Sequence, residues 1–409
     1  MTQDGRRKRL PHHCSAAFVL ITMAAGLANG QFVLRKEDAA KVSLAMDGAL
    51  EGAKLDCQIE HIRPFLDFAF RFEAGFVVRC PVKIFDGQAV HLVAYARVTS
   101  ASGESVTLGE EYTTTEIPAD FRAHTNIRKL NNDFELSGGF ALGEGDYTVD
   151  VLVASSTERF LQSRWKVKTV RVRGEEHVPL TMQPNSAGQL SSRPWDGKLV
   201  EKGQGMRVTV LLDAAPRDPK SIHLRVWDRT FLLDSVSSVL KQMPCESVRL
   251  VAFNLEQQRE IFREEQFDRS GFRRLGRALR ELELGTVDYS VLKHEAGWAE
   301  LLAHLTNQEI QAESPSDVVI FLGPVTRVEQ KVNVGNLAPL QANSPHFFDF
   351  AYFPVWMGGA EFPDAIHHLT NARNGTVLKI HSPGELAKGI QRMLQQISID
   401  KVRTGSSLQ

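Results

Sequence analysis

From about residue 50 to 174, apolar residues alternate with polar ones or run in short blocks. The segments 56–62, 66–72, 76–85, 89–99, 135–142, 147–154 and 165–172 are rich in Val, Phe and Tyr, and a period of two with such residues predicts strands. Turn-forming residues separate them: Glu73-Ala74-Gly75, Asp86-Gly87, Ser102-Gly103 and Gly143-Glu144-Gly145-Asp146. From 175 to 205 the periodicity is lost, and Pro179, Pro184 and Pro194 are interspersed with Gly and Ser, the composition of a linker.

Beyond Met206 the pattern changes to strands alternating with helices. The apolar run 207–213 predicts a buried strand ending in a carboxylate, Asp213. A helix over 230–243 presents Phe231, Leu232, Val236, Val239 and Leu240. Further strands are expected at 247–253, 258–263 (a short edge strand), 317–322, 346–353 and 376–380. Further helices are expected at 272–282, 291–310, 363–372 and 383–397. Such alternation implies a mostly parallel sheet with helices on both faces. The expected fold is therefore multidomain. An all-β, immunoglobulin-like sandwich spans 31–174, a linker 175–205, a doubly wound α/β domain 206–400 and a polar tail 401–409.

The first 30 residues depart from both patterns. Arg6, Arg7, Lys8 and Arg9 precede an apolar run over 16–28, and Ala28-Asn29-Gly30 has the small-x-small form of a cleavage site. The run is too short for a span of ~20 apolar residues and fits a signal peptide cleaved before Gln31, with an uncleaved anchor as the alternative. The chain is expected to be secreted or periplasmic, with no transmembrane segment after cleavage. Composition adds little to this. Of 409 residues 43% are hydrophobic and 24% charged, and the formal net charge is −1, so no global field draws the chain to nucleic acid. Cys57, Cys80 and Cys245 follow the leader. Cys57 and Cys80 lie in neighbouring predicted strands and form the candidate disulfide, with two buried thiols as the alternative. Cys245 is expected to be an inert core thiol.

The segments Ala365-Ile366-His367-His368-Leu369-Thr370, Asn374-Gly375-Thr376-Val377-Leu378-Lys379-Ile380 and Ser382-Pro383-Gly384-Glu385-Leu386, followed by an amphipathic helix, resemble the end of many bacterial von Willebrand factor A (vWA) domains. The strand running into Asp213 resembles that family's metal-site strand. The resemblance covers about 206–400 and implies a divalent-cation site built from three loops at the C-terminal ends of the strands. The family's first loop, Asp-x-Ser-x-Ser, reads Asp213-Ala214-Ala215-Pro216-Arg217 here, so both hydroxyls are missing. Thr286 matches the second loop, and Asp288 is a spare carboxylate at a position the family does not use. The third strand ends Phe321-Leu322-Gly323-Pro324 without the family's Asp. A hard cation wants several oxygen ligands, so the resemblance implies a vestigial site at Asp213, Arg217, Thr286, Asp288 and Gly323, with no metal or other cofactor. Arg217 is expected to pair with Asp213.

Other chemistry finds no footing. His294-Glu295 opens like a zinc-protease helix, but Trp298 stands where the second His would be. His304 is too distant to serve, and His367-His368 point to different helix faces. Gly203-x-Gly205 precedes a strand instead of following one. There is no P-loop, nucleophile elbow or Cys-x-x-Cys. The expectation is a non-enzymatic protein that binds an unidentified macromolecule of the envelope or extracellular space. The alternatives are a metal-dependent adhesin with unusual ligands and a carbohydrate-active or hydrolytic protein using the β domain.

Overall fold

The computed structural model describes residues 31–406, apart from 49–51, 87, 115, 117–131, 191–193, 219–220, 222–223, 285–295, 327–330, 332, 342 and 354–361. The leader 1–30 thus lies outside the described residues, as do Thr286, Asp288 and the His294-Glu295 pair. No helix among the described residues is long and apolar enough to cross a membrane. The chain forms two compact units. One comprises the described residues within Met1–Asp67, Arg71–Arg171 and Leu180–Ser191, and the other those within Phe68–Phe70, Val172–Pro179 and Ser192–Gln409.

The first unit holds β1 (Phe32–Val33), α1 (Lys36–Asp47), β2 (Ala53–Lys54), β3 (Gln58–Leu66), β4 (Phe72–Pro81), β5 (His91–Ser100), β6 (Ser105–Thr113), β7 (Asp133–Leu142), β8 (Gly145–Ser155), β9 (Arg159–Thr169) and β10 (Ala187–Gly188). They make two sheets, ordered β1-β6-β5-β8-β9-β2 and β10-β7-β4-β3. Every pairing is antiparallel except β2 with β9. Val93, Tyr95, Leu152 and Ala154 pack with Val42 of α1, while the alternate positions Leu92, Val98, Val149 and Val151 are equally buried. The longer sheet therefore has two apolar faces. Cys57 and Cys80 are joined by a disulfide.

Three local expectations fail here. Residues 67–71 are a turn, closed by the Asp67 N–H donating to the Arg71 carbonyl and by an Arg71–Asp67 ion pair at 2.9 Å; the apolar run there does not extend a strand. Glu73-Ala74-Gly75 lies inside β4. Gly75 is needed for close approach, since a Cβ there would sit 2.3 Å from the Gly138 carbonyl oxygen. Helix α1 was not expected in a sandwich domain. Val42 is its one fully buried residue, so the sequence carries little amphipathic signal and tertiary packing decides.

The linker expected over 175–205 is divided between the two units. Its Ala187–Gly188 pairs with β7, and Trp195 is buried. The closing helix, expected over 383–397, runs on to Ser406.

The second unit holds β11 (Met206–Asp213), α2 (Val226–Gln242), β12 (Cys245–Asn254), β13 (Arg259–Glu264), α3 (Gly271–Arg280), α4 (Gly297–Ile310), β14 (Val318–Pro324), β15 (His346–Tyr352), α5 (Ala365–Ala372), β16 (Thr376–Ile380) and α6 (Pro383–Ser406). Its sheet is ordered β13-β12-β11-β14-β15-β16, parallel throughout except for the edge strand β13. Leu211, Phe253, Phe321 and Phe347 pack with Leu302 and Leu305 of α4 and with Ile366 and Leu369 of α5. On the opposite face, Phe231 of α2 meets Tyr352 edge-on at 4.8 Å, and Gly389 lets α6 approach Phe350. This is an α/β unit with helices on both faces of a mixed sheet. The chain leaves β11 toward β12 and β13 on one side, then crosses to β14, β15 and β16 on the other. The reversal between β11 and β14 is where open α/β sheets place ligands, at the strands' C-terminal ends.

A candidate binding site at the C-terminal edge of the second sheet

The apolar run of β11 forces its last residue into that crevice. Val210, Leu211 and Leu212 are fully buried, and Asp213 shares the face of Leu211 because side chains alternate along a strand. Asp213 is 0% exposed, and neither carboxylate oxygen has a hydrogen-bond partner among the described residues. Gly323 on β14 stands beside it: a Cβ there would lie 2.8 Å from both the Cβ and the carbonyl oxygen of Asp213. Only glycine lets the two strand ends pass this closely.

Two more buried carboxyls belong to this neighbourhood. Asp349 lies on β15, on the same face as Phe347, and its Oδ2 is without a partner among the described residues. Asp364 is the N-cap of α5. Its Oδ1 accepts the His367 N–H at 2.9 Å, and its Oδ2 accepts the N–H of Thr326 at 2.8 Å and the hydroxyl at 3.2 Å. Burial pushes the Asp213 carboxyl well above its ordinary range, and the charges of Asp364 and Glu256 push it further. Asp349 is displaced in the same direction by burial, then by Asp364 and Asp213. Asp364 also rises through burial, opposed by the donors that cap it. Crowded and desolvated carboxyls favour the neutral form, which can donate as well as accept a hydrogen bond.

The first loop is organised differently from the sequence expectation. Arg217 does not pair with Asp213. Its Nε lies 3.6 Å from Asp228 Oδ1, its backbone N–H donates to the same oxygen at 3.2 Å, and its guanidinium lies 5.2 Å from the centroid of Phe231. Asp228, in the first turn of α2, also accepts the Arg225 N–H at 3.1 Å. It wins because it sits at a helix N-terminus, where backbone donors and the helix dipole favour an anion. Beside it Trp227 is 55% exposed, with the Arg225 guanidinium 5.4 Å from its ring centroid.

The structure therefore places Asp213 and Gly323 together, turns Arg217 to Asp228, and adds Asp349, Asp364 and Trp227, which sequence reasoning missed. A signal existed for each. Asp349 interrupts the run Phe347-Phe348-Asp349-Phe350, Asp364 has the N-cap position before a helix, and Trp227 falls off the apolar stripe of α2. Among the described residues, no group of three His, Cys, Asp or Glu side chains is arranged to hold a metal ion. Thr286 and Asp288 lie outside the described residues, and the described donors offer a hard cation little. Asp364 spends both oxygens on N–H and O–H donors, Arg217 brings a positive charge to the loop, and Gly323 supplies no side chain.

Comparisons with known proteins supply no identity. No family model and no curated protein matches the sequence. Among solved structures, the chain is similar to one described as the ApaA protein from Bordetella pertussis at 10% identity and a TM-score of 0.20, covering 30% of this chain and 99% of that one. It is also similar to a glycosyl hydrolase family 2 member from Bacteroides cellulosilyticus at 9% identity and a TM-score of 0.18, covering 77% of this chain and 37% of the hydrolase. A Bacteroides uniformis beta-glucuronidase gives 10% identity, a TM-score of 0.18 and coverage of 66% and 36%. Likenesses this weak carry no argument about fold or function.

Proposed function

We propose that the chain is an exported, non-enzymatic binding protein. In this reading the second unit is a vWA-like domain with a vestigial metal site, and it engages a macromolecular partner through the C-terminal edge of its sheet. The first unit is an immunoglobulin-like sandwich that serves as a spacer or second contact surface. One observation carries the proposal: Asp213 is completely buried at the topological switch point, with both oxygens unpartnered among the described residues. Leaving such a group unsatisfied costs about 1–3 kcal/mol or more, a cost that native folds bear mainly where function requires it. Trp227, an exposed aromatic beside the first loop, has the character of an interface anchor. The Cys57–Cys80 disulfide and the basic-apolar-small order of the first 30 residues support export to an oxidising compartment.

The test has two arms. Immobilised full-length chain should retain a partner from native envelope extract, and Trp227→Ala and Asp213→Ala should each reduce that capture. Millimolar magnesium should leave the melting temperature unchanged, because only a ligand that binds the native state stabilises it. A magnesium-dependent rise that vanishes in Asp213→Ala would replace this reading with the metal-dependent adhesin.

A further inference from the structure

Helix α3 concentrates positive charge in a chain whose formal net charge is −1. It has Arg273, Arg274, Arg277 and Arg280 among ten residues and no acidic residue, and Arg269 stands just before it. Phe272, Leu275 and Leu279 are buried, which turns the arginines outward. Arg274 is committed to Glu264, which its Nε reaches at 3.1 Å. Arg269, Arg273, Arg277 and Arg280 are exposed, and their side chains make no hydrogen bond or ion pair among the described residues. The positions of Arg273, Arg277 and Arg280 share one helix face, with about 6 Å of rise between residues four apart.

Beside the start of this stripe lies a cavity of about 600 Å³ within the second unit, lined by Pro194, Leu233, Asp268, Arg269, Phe272 and Arg273, together with Ser270. The helix N-terminus itself is taken: Asp268 Oδ1 accepts the N–H groups of Ser270 and Gly271 at 2.8 and 3.0 Å. The cleft therefore presents the two guanidinium groups of Arg269 and Arg273 and the Asp268 carboxylate, which Ser270, Gly271 and Arg274 hold, over a floor of Pro194, Leu233 and Phe272.

We infer that this cleft and the arginine face of α3 form a docking surface for an extended acidic peptide of a partner protein, one carrying carboxylates at alternate positions and an apolar side chain at a further alternate position, so that all of them share one face of the strand. Carboxylates two residues apart on an extended strand are about 6.6 Å apart, close to the arginine spacing. Guanidinium groups recognise carboxylates through paired hydrogen bonds. The apolar floor selects a peptide over a lipid headgroup layer, because it gives a side chain somewhere to go. The surface is separate from the Asp213 site and does not depend on the reading of that site.

The experiment uses the full chain and a fluorescein-labelled peptide of alternating Asp and Ala in which a central Leu takes one Asp position, followed by anisotropy. The peptide should bind, more weakly as salt rises because the charges are exposed, and replacing its Leu with Asp should weaken it. Arg269→Glu combined with Arg273→Glu should lower affinity by about tenfold or more, whereas Lys166→Glu in the first unit should leave it unchanged. Circular dichroism and melting curves matching the wild type show that the double variant is folded. Three results would overturn the inference: no peptide binding at low salt, equal binding by the double variant, or tighter binding to anionic phosphatidylglycerol vesicles than to the peptide.

Discussion

At the N-terminal ends of the second unit's strands, a buried carboxylate is tied into the fold. Glu309 Oε2 accepts the Thr209 hydroxyl at 2.7 Å and Arg249 Nη1 at 2.7 Å, and Ser316 Oγ lies 2.7 Å from the same hydroxyl. Nearby, Asp317 takes the Arg207 N–H and guanidinium at 2.8 and 2.9 Å. At the C-terminal ends, Asp213 is on the same face of the same strand as Thr209 and as deeply buried, yet accepts nothing from the described residues. Both ends desolvate a carboxylate. Only one end offsets that desolvation from within the chain. The difference separates a structural acid from one whose cost the fold leaves uncompensated, which is why the second marks the candidate site.

This contrast can be broken at either end. The largest effect is expected from Arg249→Ala, which leaves the buried Glu309 with the Thr209 hydroxyl but no cation and should cost about 3–5 kcal/mol in urea unfolding. A loss below about 1 kcal/mol would mean that the N-terminal pair is not structural. Next is Gly323→Ala. The new methyl group meets Asp213 between two buried strand ends, for a loss of about 1–3 kcal/mol; a neutral result would show that the strands separate readily there. Asp213→Ala should act in the opposite direction, raising stability by about 1–2 kcal/mol at neutral pH as it removes an unsatisfied group. Measured destabilisation would mean that Asp213 is paired in solution and is no functional marker.

The smallest effect is in pH dependence. Asp213, Asp349 and Asp364 are all shifted upward on folding. A raised carboxyl contributes its stability fully below the unfolded value, near 4, and loses it as pH rises through the folded value. Melting temperatures of the wild type should therefore fall relative to Asp213→Ala on going from about pH 4 to neutrality. Parallel curves for the two proteins would show that Asp213 keeps an ordinary pKa.

Much of the second unit was legible from periodicity alone, because each buried strand is a continuous apolar run and each helix carries a broad stripe. The edge strand at Arg259–Glu264 carries no such run, with only Ile261 and Phe262 apolar among charged residues. The first unit was less so. β6 holds two Thr, two Glu, one Ser and one Gly among nine residues and is only partly buried, so it lacks the apolar signature of a strand, and its pairing with β5 is what makes it one. The turn at 67–71 shows the converse, an apolar run shaped by an ion pair and a positive φ at Phe70.

For this protein, the sequence by itself determined which segments are apolar enough to be buried, the change from strands to alternating strands and helices at Met206, and the carboxylate that ends the first strand of the second unit. These follow from local composition and period, which each segment carries on its own. Tertiary structure decided what the charges do. Arg217 is four residues from Asp213 and pairs instead with Asp228, because α2 brings a helix N-terminus to the loop. Asp349 and Asp364 join Asp213 only because β15 and α5 are folded against the same face of the sheet. Ion pairing and desolvation depend on distances in space between groups far apart along the chain, and no periodicity encodes them.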